Sequence, residues 1–195
     1  MRGIPIPLLV AVGLVAIILV ASRYFIVEVQ KATDPTGYAE TENLLVETVA
    51  DLDGMIALAL TDPHHSYFKL DIENVISCYG SSNGSPSPSA DGLLLKLMKS
   101  LHPEEYGDWT VDTVLLEMHL ATVASGSAYA GPIELPTTLQ LLKYSGTPCK
   151  EELAKRLREW FLMLALASAA VDGKVSDEGQ AAILRFKSAL EAGSG

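Results

Sequence analysis

The chain has 195 residues, 49% apolar and 19% charged, with a formal net charge of −10. That is enough apolar sequence for one sizeable core, and it excludes wholesale disorder. General nucleic-acid binding is excluded as well, because residues 32–149 carry sixteen acidic and four basic side chains and would repel a phosphate backbone.

The first element is a membrane segment. From Ile4 to Ser22, "IPIPLLVAVGLVAIILVAS", nineteen residues pass without a charge. A bilayer core about 30 Å thick needs about 20 such residues as helix. Arg2 and Arg23 flank the run, and Tyr24 and Phe25 suit the headgroup zone. The rival reading is a cleaved signal peptide. Its apolar region would be shorter, about 7–15 residues, although "VAS" before Arg23 has the small residues a cleavage site wants. Residues 1–31 are therefore expected to be a single-pass anchor in the cell membrane, in contact with the bilayer. Its orientation is nearly a tie, since Lys and Arg are balanced across it.

"ATDPTG" at 32–37 reads as a juxtamembrane linker, and residues 38–195 as one helical domain. In "YAETENLLVETVADLDGMIALALTDP", Leu44, Leu45, Val49, Leu52, Ile56 and Leu60 recur at helical spacing. "SYFKLDIENVISCYG" predicts a shorter helix ending at Gly80. "SSNGSPSPSADG" at 81–92 predicts a flexible loop. "LLLKLMKSL", "DWTVDTVLLEMHLATVASGS" and "LPTTLQLLKY" are further helices, separated by His102-Pro103, Gly126 and Pro136.

Two strong helices close the chain, "CKEELAKRLREWFLMLALASAAVDG" and "SDEGQAAILRFKSALEA". The first has no charge from Phe161 to Val171, eleven residues, too short to span a bilayer. It is expected to be the central, fully buried helix of a bundle. No strand alternation is visible. The predicted fold class is all-α, with one N-terminal transmembrane helix followed by the bundle.

The connection "VDGKVSDEG" admits two readings. Gly173 suits the left-handed residue that closes a helix, and Ser176 suits the next N-cap. Asp177 and Glu178 then face the positive end of the helix dipole. Alternatively, Asp172, Asp177 and Glu178 converge as oxygen ligands for a divalent cation such as calcium or magnesium. An EF-hand does not fit: counted from Asp172, the glycine position holds Asp177 and position 12 holds Ile183.

A long apolar helix running into "AAVDGKVSDE", followed by an amphipathic helix, resembles the TerB-like domain of tellurite-resistance and related bacterial stress proteins. The resemblance covers about residues 150–192. It implies an all-helical bundle, a metal-ion site with Asp172, Asp177 and Glu178 as ligands, and a cytoplasmic location. It also implies an adaptor role in stress response or defence machinery, beside protein partners that include an ATPase. In the family the Asp-Gly corner recurs. The candidate first copy here, Asp51-Leu52-Asp53-Gly54, lacks the Ser-x-Glu continuation and runs on as helix.

Chemistry-bearing motifs are otherwise sparse. His64-His65, His102 and His119 have no zinc-ligand spacing. There is no nucleophile elbow, phosphate loop or dinucleotide fingerprint, so no enzyme is expected. Cys149 opens a helix, where a thiolate is favoured, but no base is placed beside it. The expected function is a membrane-anchored helical adaptor or scaffold acting through protein–protein interaction. The alternative is an exported or periplasmic binding protein with a Cys78–Cys149 disulfide and no metal site.

Overall fold

The computed structural model describes residues 35–60, 67–82, 85–114, 116, 135–147, 150–173 and 175–193. The expected anchor at 1–31 lies outside them, as do His64, His65, His119, Cys149 and the expected helix beyond 116. Among the described residues no helix is long and apolar enough to cross a membrane.

Among the described residues regular structure is helical apart from one two-residue ladder, as the sequence leads one to expect. The helices whose whole span is described are α1 (Pro35–Ala59), α2 (Tyr67–Tyr79), α3 (Pro88–Leu101), the single turn α4 (Pro103–Tyr106), α5 (Thr137–Tyr144), α6 (Lys150–Ala170) and α7 (Asp177–Ala192). One two-residue antiparallel ladder, β1 (Ser81–Ser82) and β2 (Ser85–Pro86), pairs Ser81 with Pro86 and Ser82 with Ser85.

Helix α6 is the centre. Helices α1, α2, α5 and α7 all pack on it, and α1 and α2 also pack on α3. No residue from Phe161 to Val171 is exposed. The reason lies in the sequence: a segment apolar on every side finds no favourable face for water. At the middle of the bundle Phe68, Trp160 and Phe161 form a triangle of rings. Their centroids lie 5.4 to 5.9 Å apart, and both contacts to Phe161 are edge-on. The Trp160 indole N–H donates to Thr48 Oγ1 at 3.1 Å, which fixes the rotation of α1 against α6.

Two boundaries and one core residue differ from the sequence reading. Helix α1 starts at Pro35, inside the stretch expected to be linker, because proline at the first helical position loses no hydrogen bond. The loop expected at 81–92 ends at Ser87, whose hydroxyl accepts the Ala90 N–H at 3.2 Å and starts α3 at Pro88. Serine followed by proline was a cap signal hidden in a low-complexity run. Third, Leu45, Val49, Leu52, Ile56 and Leu60 are core residues of α1, but Leu44 is not. Its side chain points about 100° away from that of Leu45.

Candidate functional site

The α6–α7 corner was the stretch with the richest expected chemistry. Gly173 adopts φ +81° and its N–H donates to Ala170 O at 2.8 Å, closing α6. Ser176 Oγ accepts the Gly179 N–H at 3.0 Å, and the Gln180 N–H donates to Ser176 O at 2.9 Å. Asp177 and Glu178 follow in the first turn of α7, where the dipole favours them. Asp172, Asp177 and Glu178 are all exposed. Among the described residues no group of three or more His, Cys, Asp or Glu side chains is placed to hold a metal ion. The fold does not gather these three carboxylates: Asp172 precedes the left-handed turn, while the other two lie beyond the cap. Asp172 instead acts electrostatically on Tyr38 of α1. Burial, then Glu42, then Asp172 push that phenol up to about 12.

The Asp51-Leu52-Asp53-Gly54 stretch lies within α1 and forms no corner. His102 sits between α3 and α4, with Nδ1 3.8 Å from the exposed Glu104. Cys78 lies half-buried on α2.

A different surface stands out on α1. Leu44, Met55 and Leu58 are 44%, 39% and 89% exposed. Their spacing of eleven and then three residues places them on one face of the helix. The exposed acids Glu40, Glu47 and Asp51 share that face, and the 25-residue helix contains no lysine or arginine. The opposite side packs on α3 and α6 and carries the Glu42–Lys96 ion pair to α3. The apolar stripe on the outer side was legible in the sequence only as noise around the core stripe.

Two buried carboxylates were missed by sequence reasoning. Asp71 of α2 is 3% exposed and accepts the N–H groups of Thr137 at 2.9 Å and Thr138 at 2.7 Å. Asp91 of α3 is 1% exposed, and among the described residues neither of its oxygens has a hydrogen-bond partner. Burial raises both pKa values. For Asp71 the raising outweighs the lowering by the Thr138 and Thr137 hydrogen bonds. The signal was present for Asp71, which interrupts the apolar row Phe68, Ile72, Val75 and Ile76. For Asp91 it was concealed by the expected loop.

No protein-family model matches the chain, and neither the curated proteins nor the solved structures contain a match.

Proposed function

We propose that this chain is a membrane-attached helical adaptor whose α1 outer face receives a basic amphipathic helix from a protein partner. The observation that supports this is the exposed row Leu44, Met55 and Leu58, set among Glu40, Glu47 and Asp51 on a helix without a single cation. Apolar anchors at helical spacing suit a helical ligand, and the surrounding acids select a basic one. Leu58, almost fully exposed, is the anchor expected to contribute most once a partner desolvates it. The membrane attachment rests on the uncharged run Ile4–Ser22.

The TerB-like reading belongs to the same proposal. It rests on the long apolar α6, the Asp-Gly corner and the amphipathic α7, and it puts the bundle in the cytoplasm beside stress machinery. The adaptor reading itself requires no cation at 172–178, because capping and the helix dipole account for those residues.

The test is photocrosslinking of the full chain in cells from a benzoylphenylalanine placed at position 58. A discrete heterologous product is expected, and a synthetic peptide of the crosslinked partner segment should be basic, amphipathic and able to bind the purified full chain. Leu58→Glu should weaken that binding about tenfold or more, while Leu184→Glu, on the exposed side of α7, should leave it unchanged. Crosslinks only to lipid or to other copies of the chain, or equal losses from both substitutions, would sink the proposal.

A further inference from the structure

Helix α5, the opening turns of α6 and the end of α7 enclose a cavity of about 400 Å³ that opens to solvent. Its apolar walls include Leu139 and Leu142 of α5 and Leu190 of α7, all core residues. Its charged lining is lopsided: Lys143, Lys150 and Arg158 against the one carboxylate Glu151. In a chain of net charge −10, that local excess of cations is out of keeping with the rest of the surface.

The geometry of α6 explains how the rim is built. Lys150, Ala154 and Arg158 fall four residues apart, so they form one stripe facing the cavity, and the small Ala154 leaves the space between the two cations open. Lys150 Nζ donates to Lys143 O at 3.0 Å and Ser145 O at 3.1 Å. Those carbonyls belong to the C-terminal end of α5, so the ammonium is pinned at the cavity while a third N–H is left for another acceptor. Arg158 is half-buried, and among the described residues no carboxylate pairs with it. Its neighbour Arg156 differs, with Nε 3.4 Å from Glu152 Oε1.

We propose that this cavity binds a single-chain amphiphile with an anionic head, of the fatty-acid carboxylate class. A guanidinium receives a carboxylate through two parallel N–H bonds, Lys143 and Lys150 add to the attraction, and the leucines receive the chain. The volume lies near the lower end of the roughly 300–1,000 Å³ typical of small-molecule sites, which suits one acyl chain rather than a two-chain phospholipid. This inference is independent of the α1 docking face.

The experiment uses the full chain in phosphatidylcholine nanodiscs and dodecanoic acid carrying a mid-chain diazirine. Irradiation followed by peptide mapping should place the label within 135–158 or 190–193. Unlabelled dodecanoate should compete, and dodecanol, which lacks the charge, should not. Arg158→Gln should lower labelling about fivefold or more, and Arg158→Lys should retain most of it. If Arg158→Gln lowers the melting temperature, Lys143→Gln, at the exposed end of α5, carries the same expectation. Labelling confined to residues 1–34, equal competition by dodecanol, or indifference to loss of the cation would overturn the proposal.

Discussion

Gly54 and Gly80 both interrupt apolar helical sequence, yet the space around each leads to opposite expectations. A Cβ on Gly54 would meet nothing within 4 Å, since the residue lies on the open side of α1. A Cβ on Gly80 would sit 2.6 Å from Ala90 Cβ and 2.8 Å from Ile76 O, where α2 hands over to the turn before α3. Gly54→Ala should therefore stabilise the chain by about 1 kcal/mol. Gly80→Ala should cost about 1–3 kcal/mol through forced displacement of α3. Urea unfolding followed by helical circular dichroism would measure both, and equal effects would show that close approach at Gly80 is not what selects glycine. The sequence marked Gly80 only as a helix stop. The packing reason depends on Ala90, ten residues on, and no local pattern connects the two.

Among the elements, α5 has the least ordinary start. Its N-cap position is Pro136, whose side chain accepts no hydrogen bond. Asp71, from a helix 66 residues earlier, takes that role by accepting the Thr137 and Thr138 N–H groups. The α5 dipole favours a negative charge there, and the contact ties α2 to α5. Asp71→Ala should cost about 2 kcal/mol, with Asp71→Asn in between because the amide oxygen still accepts one N–H. Hydrogen exchange should show the α5 amides losing protection before those of α6. Uniform loss of protection across the bundle would argue against a capping role. The sequence located the ends of α2, α5, α6 and α7 closely because Gly, Pro and Ser punctuate them. It misplaced the start of α3, since Ser87-Pro88 lies in a run of serine, glycine and proline that reads as loop.

At the scale of the whole molecule, burial of acids links stability to pH. Asp71, Glu73 and Asp91 all have raised pKa values, with burial as the first cause in each. A raised native pKa means the folded chain binds protons more tightly than the unfolded one. Its contribution to stability is complete below the unfolded carboxylate values, about 4, and is lost as pH rises through the raised native values. The chain should therefore gain more stability from these groups near pH 4 than near pH 8. Asp91→Asn, which removes a buried carboxyl without a hydrogen-bond partner among the described residues, should flatten that slope and raise stability at pH 8 by about 1 kcal/mol or more. Thermal melts of both forms across the range would check it. A parallel pair of curves would show that Asp91 is not a source of the pH dependence.

By itself, the sequence determined the all-helical class, the periods that make α1, α6 and α7, and the central position of α6. Each is a local property: apolar spacing selects a helix, and apolar residues on every side force burial. The α6–α7 corner was legible for the same reason, since Gly173 and Ser176 act on backbone within a few residues. Tertiary structure alone decided that Leu44 faces outward with Met55 and Leu58, that Asp71 serves α5, and that Lys143, Lys150 and Arg158 meet around one cavity. Those relations join residues on different helices or on the far side of one helix. They depend on which faces the packing leaves uncovered, and no period along the chain records that.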